Sequence, residues 1–312
     1  MPQSMLEQIK EASKGALVFC FVGVGSAFAK KNDQTSLIIA KDGKTILVDI
    51  GTTIPMALNR QGMKVFDFDY YFFTHSHADH VGGAEELLLM SRYVMKRKVP
   101  LIITEPYFGI LWDQTLRGGC EHNEEPLLRF SDLVNPMKPI WVQSQPREAY
   151  RIVVDGIELL IFRTAHTPGN VKLWEEGFWS TGILVDRTVL FTGDTRFDPS
   201  LFVHLRVENG VRAIFHDCQL FSPGTVHASY DELNTRLRSD VKAITRLTHY
   251  GDTFEKFTPE NDGFQGFAKP WEIYRWPCAK EAKAPADVQD GAHTTATATS
   301  TDEGGEQGTV GS

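Results

Sequence analysis

The chain has 312 residues, 42% of them hydrophobic, with 32 Lys and Arg against 40 Asp and Glu. Residues 281–312 hold one Lys and six acids, a balance of −5, which leaves −3 of the net charge of −8 for residues 1–280. Residues 1–280 are thus nearly neutral, which argues against the basic face that binding to nucleic-acid phosphates requires. The four Cys are scattered without a Cys-x-x-Cys pair, which excludes a disulfide scaffold and a Cys-based zinc ribbon.

The N-terminal segment shares some features with a secretory signal. Lys10 and Lys14 precede an apolar run, and residues 27–29 (Ala-Phe-Ala) resemble a small-residue cleavage site. However, Glu7 and Glu11 place negative charges in the basic region, and glycines interrupt the apolar run. We therefore expect a buried first strand that ends in a glycine turn. No other segment approaches the ~18 apolar residues of a membrane helix. We therefore expect a cytoplasmic protein without a membrane span, in the host cytoplasm if it is viral.

Strand-like runs rich in Val, Ile, Phe and Tyr recur along the chain, and helical patterns fall between them. The predicted strands are Leu17–Val22, Ser36–Ala40, Thr45–Asp49, Tyr70–Thr74, Pro100–Thr104, Pro139–Gln143, Arg151–Asp155, Ile157–Arg163, Gly182–Val185, Thr188–Thr192, Ala213–His216 and Ala243–Thr248. The predicted helices are Ile54–Gln61, Gly83–Met95, Tyr107–Leu116 and Ser229–Arg238. This grouping predicts a layered α/β protein with two β-rich halves rather than an alternating βαβ series.

The composition changes near the C-terminus. Residues 281–312 contain no aromatic residue and are rich in Ala, Thr, Gly and acids. Such a segment buries too little apolar surface to offset the entropy of ordering. We therefore predict one folded domain over residues 1–280 and a disordered acidic tail over residues 281–312.

The densest cluster of chemically active residues is a loop that follows the predicted strand Tyr70–Thr74. Its ligand-type residues are His75, His77, Asp79 and His80, and a Gly-Gly pair and a helical pattern follow them. Imidazole and carboxylate together suit Zn²⁺. In a tight loop, His75 and His77 point the same way, whereas Asp79 and His80 project toward a second position nearby. A histidine-rich surface loop without a function is the alternative.

A dinuclear site needs more ligands than this loop contains, and three other residues of suitable type follow predicted strands. His166 follows the run that ends at Arg163, Asp194 lies in a Phe-Thr-Gly-Asp-Thr segment, and His249 lies in Leu-Thr-His-Tyr-Gly-Asp. Each of them alone would often be an ordinary structural residue. Their shared position at strand ends favours a common site.

The His-x-His-x-Asp-His loop, followed by His, Asp and His, resembles that of the metallo-β-lactamase fold hydrolases over residues 15–276. The resemblance implies an αββα sandwich with two zinc ions at one edge, between the two sheets. It also implies that His75, His77 and His166 bind the first zinc, that Asp79, His80 and His249 bind the second, and that Asp194 bridges them. His77 stands where oxygen-reducing diiron relatives usually have Glu, which favours zinc and hydrolysis over redox iron.

Two further segments narrow the resemblance within that superfamily. Residues 214–218 (Ile-Phe-His-Asp-Cys) and 226–229 (Val-His-Ala-Ser) resemble the acid and His segments of the tRNA 3′-processing endonucleases. In those phosphodiesterases the pair protonates the leaving oxygen, which implies that Asp217 orients His227. A helix-start residue is the alternative for His227, and a buried loop partner is the alternative for Asp217. The candidate catalytic residues are therefore Asp79, Asp217 and His227.

This chain resembles the anti-Pycsar cyclic-nucleotide phosphodiesterases more closely still. Phages use these enzymes against cyclic-pyrimidine signalling, and bacteria also contain them. The segments that carry this resemblance are 23–31, 47–51, 55–58, 111–119 and 226–233. It implies hydrolysis of 3′,5′-cyclic nucleotides to nucleoside 5′-monophosphates by a homodimer, with loops near Leu116–Cys120 lining the partner's pocket. The segment 170–182, near the expected pocket, is longer than the corresponding link in that family.

Other functions have weaker support. A tRNA 3′-processing endonuclease would carry a basic protruding arm, but the dense basic run here is only residues 96–98, at a predicted helix end. A non-catalytic cyclic-nucleotide sponge would have no reason to keep seven metal ligands and an acid–base pair. A β-lactam or thioester hydrolase remains open, although Asp217 and His227 favour phosphorus chemistry.

Overall fold

The computed structural model describes residues 3–142, 147–169, 171–202 and 210–278. These residues form two mixed β-sheets. Their strands are β1 Ala16–Gly23, β2 Ser36–Lys41, β3 Lys44–Val48, β4 Tyr70–Phe72, β5 Val99–Ile102, β6 Val134–Met137, β7 Ile140–Val142, β8 Ala149–Val154, β9 Ile157–Arg163, β10 Thr181–Val185, β11 Val189–Phe191, β12 Ala213–Asp217, β13 Thr245–Thr248 and β14 Ile273–Pro277. Over those ranges, the strand order is β14-β1-β2-β3-β4-β5-β6 in the first sheet and β13-β12-β11-β10-β9-β8-β7 in the second.

The core lies between the two sheets. Every residue of β1 is buried, as expected for a first strand inside the fold. Aromatic rings of β1 meet rings of the second sheet: the centroid of Phe19 lies 5.8 Å from that of Phe215, and Phe21 lies 4.9 Å from Phe215 and 6.0 Å from Phe191. Burial of such large apolar surfaces is the main stabilising contribution to a layered fold.

Tight turns connect three pairs of antiparallel strands. Asp42 and Gly43 have φ values of 49° and 81°, and Asp155 and Gly156 have 44° and 80°. Positive φ at both central residues defines the type I′ turn, whose twist matches that of the flanking strands. The Asp-Gly pairs at these two turns are of the type that such turns favour, whereas the third turn, at residues 186–187, has Asp and Arg.

Short helices surround the sheets. Within the described residues, the α-helices are Met5–Ala12, Ile54–Arg60, Ala78–Val81, Ala84–Tyr93, Glu105–Leu111, Arg117–Cys120, Phe130–Leu133, Tyr230–Arg236 and Ser239–Lys242, with a π-helical turn at Trp112–Leu116 and 3₁₀ turns at Glu121–Asn123, Trp174–Glu176, Phe254–Lys256 and Pro259–Asp262. Each helix that the structure describes is too short or too polar to span a bilayer.

Most predicted elements are confirmed, and the missed elements have identifiable causes. The helix Met5–Ala12 begins with a capping box, in which Ser4 Oγ accepts from Glu7 N and the Glu7 carboxylate accepts from Ser4 N. That Ser-x-x-Glu signature was present in the sequence. The missed strands β6 and β14 lie at the edges of the first sheet and contain Pro, which weakens a strand pattern.

The contacts within the chain group Met1–Cys278 into one unit. The predicted folded domain over residues 1–280 stays a prediction. The predicted disordered tail, 281–312, lies outside the described residues, so it stays a prediction.

Candidate metal centre

The carboxyl ends of several strands meet at one edge of the sandwich. In the first sheet, β4 pairs in parallel with β3 and β5, and His75 and His77 follow β4. His77 then occupies the position before the short helix Ala78–Val81, whose first turn carries Asp79 and whose last carries His80. This strand-to-helix turn places four ligand-type residues on six consecutive positions.

The second sheet contributes the other candidate ligands from the same edge. Strands β11, β12 and β13 are parallel, and β9 runs in the same direction because it is antiparallel to β10, which is antiparallel to β11. His166 follows β9, Asp194 follows β11 and His249 follows β13. The strand directions therefore bring together residues that are far apart in the sequence.

The seven predicted ligands form two groups that share one carboxylate. The groups are His75, His77, His166 and Asp194, and Asp79, His80, Asp194 and His249, with the ligand atoms in each group within 4.8 Å of one another. These are the two sets that the resemblance implied, with Asp194 common to both.

In the first group, three imidazole nitrogens converge. His77 Nδ1 lies 2.9 Å from His75 Nε2 and 3.2 Å from His166 Nε2. Asp194 Oδ2 lies 3.8 Å from both of those Nε2 atoms. Two ligands on a tetrahedral zinc with bonds of about 2.05 Å would be about 3.3 Å apart. The spacing of the nitrogens therefore fits one metal ion.

The second group contains two carboxylates and two imidazoles. Asp79 Oδ2 lies 3.2 Å from His80 Nε2 and 3.3 Å from His249 Nε2, and Asp194 Oδ2 lies 3.2 Å and 3.5 Å from the same nitrogens. His80 Nε2 is buried and makes no hydrogen bond with the described residues. A buried nitrogen without a hydrogen bond is costly unless it binds something else. This donor set of nitrogen and oxygen suits zinc.

Hydrogen bonds to the remote ring nitrogens hold the imidazoles in place. Asp49 Oδ2 accepts from His80 Nδ1 at 2.7 Å and from Thr74 Oγ1 at 2.8 Å. Thr74 Oγ1 in turn lies 3.0 Å from His75 Nδ1, and the Val226 carbonyl accepts from His166 Nδ1 at 2.8 Å. Such outer partners select the tautomer that leaves Nε2 free to bind a metal ion.

Asp49 was not identified as a site residue from the sequence. It belongs to the 47–51 segment that carried the family resemblance, and it follows β3, which ends at the same edge as β4. A buried Asp directly after an apolar strand was the available signal. Its φ is 60°, an uncommon conformation for a residue other than Gly, and His249 has a φ of 57°. Such backbone outliers cluster at functional sites.

The charges around the two groups differ. Burial lowers the pKa of His75 well below its usual range and that of His166 to about 4, so both rings are neutral at pH 7, the form that binds a metal. Burial also lowers the pKa of His249, but Asp194 first and then Asp217 and Asp79 outweigh it and raise that pKa to about 10. The carboxylate-rich second group therefore favours a positive charge at its centre.

A second pair of residues lies beside the shared carboxylate. Asp217 Oδ2 accepts from His227 Nδ1 at 2.7 Å and from Thr195 N at 2.9 Å. His227 Nδ1 is 4.0 Å from Asp194 Oδ2, and Asp217 Oδ1 is 3.4 Å from His249 Nδ1. The structure thus brings together the predicted acid–base pair, and it also places Asp217 against a candidate ligand, a contact that the sequence did not indicate.

His216 precedes Asp217 on β12 but is not part of the site. Neighbouring residues on a strand face opposite sides of a sheet. The His216 ring is buried and stacks on Phe202, with centroids 5.2 Å apart. Only Asp217 of this pair faces the other candidate site residues.

A cavity of about 600 Å³ opens onto the two groups. Its lining includes His77, Asp79, His166, Asp194 and His227, together with residues 27–30, Gln34 and residues 52–53. This volume lies within the ~300–1,000 Å³ range of small-molecule pockets. The described part of the 170–182 segment does not line it; residues 171–175 line a neighbouring cavity of about 520 Å³ next to Ala165.

The family model for the anti-Pycsar protein Apyc1 matches residues 17–274. The chain belongs to the Apyc1 family. It is 36% identical to the Apyc1 protein of Paenibacillus harenae over 236 residues, which cover 76% of this chain and 90% of that protein. It is 33% identical to the Apyc1 protein of Bacillus phage vB_BsuM-Goe3 over 242 residues, with the same coverage of 76% and 90%.

The structure of this Apyc1 family member has the metallo-β-lactamase fold. The crystal structure of the metallo-β-lactamase fold protein YhfI from Bacillus subtilis matches with a TM-score of 0.61 at 12% identity, covering 84% of this chain and all of that one. The prediction of an α/β sandwich of this fold is confirmed.

Proposed function

We propose that this protein is a dinuclear zinc phosphodiesterase that opens 3′,5′-cyclic nucleotides to nucleoside 5′-monophosphates. One observation carries the proposal: Asp194 Oδ2 is shared by two groups of ligand atoms, and the Asp217–His227 pair lies directly beside it. A two-metal site next to a proton donor is suited to displacement at phosphorus. The cavity at this site has the volume for a mononucleotide.

Seven side chains would hold the ions. The first zinc would bind His75, His77 and His166, the second would bind Asp79, His80 and His249, and Asp194 would bridge them. When bound, two zinc ions would supply charge neutralisation for the phosphate oxygens and would lower the pKa of a water molecule. The chain's own contribution is to fix the ligand geometry through Asp49 and the Val226 carbonyl.

His227 would act as the general acid. Its Nδ1 is occupied by the Asp217 carboxylate, so Nε2 is the atom available to the substrate in the cavity that His227 lines. Burial lowers the pKa of His227, but Asp217 outweighs burial and the net effect is a raised pKa, which favours the protonated ring. His227 then donates its proton to the departing 3′ oxygen, and Asp217 stabilises the ring in position.

The family and the charge of the chain support this substrate class. The matching family is described as anti-Pycsar, and removal of a cyclic-pyrimidine signal is the chemistry that would counter such a defence. The folded region has a net charge near −3, which disfavours a long RNA substrate. We also propose a homodimer in the cytoplasm; light scattering that gives about 35 kDa, the mass of one chain, would contradict the dimer.

A substrate panel tests the proposal. The zinc-loaded protein is incubated separately with the 3′,5′-cyclic forms of CMP, UMP, AMP and GMP, with a precursor tRNA and with a chromogenic β-lactam, and the products are separated by chromatography. We expect 5′-monophosphates from cyclic nucleotides, and none from an Asp194→Ala variant. Cleavage of the tRNA or the β-lactam without opening of any cyclic nucleotide would overturn the proposal.

A further inference from the structure

A loop that lines the same cavity as the candidate ligands is held by backbone hydrogen bonds. It follows β1 and spans residues 24–35. Gly25 N donates to the Asp33 carbonyl at 2.8 Å, Thr35 N donates to the Gly25 carbonyl at 3.0 Å, and Ser26 N donates to the Tyr250 carbonyl at 3.1 Å. These bonds close the loop on itself and attach it to the segment that follows β13.

One carboxylate attaches the tip of this loop to the candidate metal centre. Asp252 accepts from the backbone N–H groups of Lys30 and Lys31, both at 2.9 Å. Asp252 lies three residues after His249, in the same turn after β13. The position of residues 28–31 relative to the metal-side residues is therefore set by a short and direct connection.

This fixed loop presents a bare aromatic ring to the cavity. Phe28 has 87% of its surface exposed, the largest fraction among the large hydrophobic side chains that the structure describes, and it lines the same cavity as Asp79, Asp194 and His227. An exposed Phe contributes little to folding, since burial of its ring is what stabilises a protein. The exposed Phe28 ring is therefore available to contact a ligand in the cavity.

The Gln34 side chain, which also lines the cavity, is engaged in hydrogen bonds within the protein. Gln34 Nε2 donates to the Ala27 carbonyl at 3.1 Å, and Gln34 Oε1 accepts from Thr52 Oγ1 at 3.0 Å and from Thr53 N at 3.2 Å. The Gln34 amide thus supports the loop. Among the loop residues that line the cavity, which are residues 27–30 and Gln34, Phe28 carries the aromatic ring.

We propose that Phe28 is the platform on which the nucleobase of the substrate stacks, and that Asp252 is the residue that positions it. This inference rests on the proposed function and adds to it the residue of the cavity that binds the base. Stacking suits such a residue because every nucleobase has a π-face that an aromatic ring can cover.

Phe28→Ala tests the platform. We expect KM for cyclic nucleotides to rise by about 10–100-fold, with kcat and zinc content unchanged. A ribose 3′,5′-cyclic phosphate without a base should be hydrolysed equally well by the variant and the native enzyme. Phe28→Tyr and Phe28→Trp should retain a low KM. Phe221→Ala is the matched control, because Phe221 is 71% exposed and does not line the cavity.

Asp252→Ala tests the positioning role. It should raise KM for cyclic nucleotides without changing hydrolysis of the base-free ester, and Asp252→Asn, which keeps one acceptor oxygen, should recover part of the loss. An unchanged KM in Phe28→Ala, or equal losses on nucleotide and base-free ester, would overturn the inference while leaving the proposed function in place. A native enzyme that opens no cyclic nucleotide would overturn both.

Discussion

Asp49 Oδ2 lies 2.7 Å from His80 Nδ1, and it also accepts the hydroxyl hydrogen bond of Thr74 at 2.8 Å. One buried carboxylate thus supports His80 directly and His75 through Thr74 Oγ1. The two rings belong to different groups of candidate ligands. Asp49 therefore couples the orientation of the two groups of candidate ligands although it belongs to neither.

Asp49→Asn should weaken metal binding without unfolding the protein. An amide keeps the size of the side chain but removes the charge that orients His80, so we expect zinc affinity to fall by about 10–100-fold. Competition with a chelator measures the affinity, and circular dichroism checks the fold. Asp69→Asn, whose carboxylate accepts from Thr45 at the other end of β3, is the control. Equal affinities in all three proteins would contradict this role.

Asp194→Ala should abolish activity and most zinc binding, because Asp194 is the carboxylate common to both groups. The measurement is zinc per chain by atomic emission, together with turnover of a cyclic nucleotide. Asp186→Ala, which removes a carboxylate paired with Lys41 in the turn after β10, should keep both. Two zinc ions per chain and full activity in Asp194→Ala would remove this residue from the site.

His227→Ala should separate proton donation from metal binding. If His227 protonates the leaving oxygen, its loss should slow opening of a cyclic nucleotide by ~10²–10⁴-fold, since a sugar alkoxide is a poor leaving group. With bis(p-nitrophenyl) phosphate the loss should be far smaller, because phenolate needs little protonation. Zinc content should stay unchanged. Equal losses on both substrates, or loss of zinc, would make His227 a structural or metal-supporting residue.

Asp217→Asn should move the alkaline limb of the pH dependence of kcat/KM to lower pH. Burial lowers the pKa of His227, and the Asp217 carboxylate is the largest influence that raises it. The general acid works while it is protonated, so a lower pKa means that activity is lost at a lower pH. Asp194 and His249, which also face His227, are unchanged in this variant. An alkaline limb at the native position would show that another group governs it.

Only one of the four thiols should react readily in the native protein. Burial raises the pKa of the Cys20 thiol to about 12 and that of Cys120 to about 11, and it also raises the pKa of Cys218. Because the thiolate is the nucleophile, these thiols should be inert at pH 8, whereas Cys278 is partly exposed. Titration with a disulfide reagent should give one fast equivalent, and Cys278→Ser should give none.

Local sequence patterns were sufficient to predict much of the candidate site. His75, His77, Asp79 and His80 are neighbours in the chain, so their density predicted a metal-binding loop before any fold was known. The strand-end positions of His166, Asp194 and His249 were also visible, because apolar strands and the loops after them have distinct compositions. Family resemblance then supplied the order of the ligands, which local patterns do not contain.

Tertiary structure decided how distant residues pair. Asp49 and His80 are 31 positions apart, and an Asp after a strand is also common in ordinary turns. Their contact becomes visible only in the structure, where strands β3 and β4 are parallel neighbours. The same holds for Phe28. In the sequence it is one apolar residue in a glycine-containing loop. In the structure Asp252, more than 220 positions later, holds that loop beside the cavity. The chemical type of each side chain can be read from the sequence. Which side chains meet depends on contacts between segments that are far apart in the sequence.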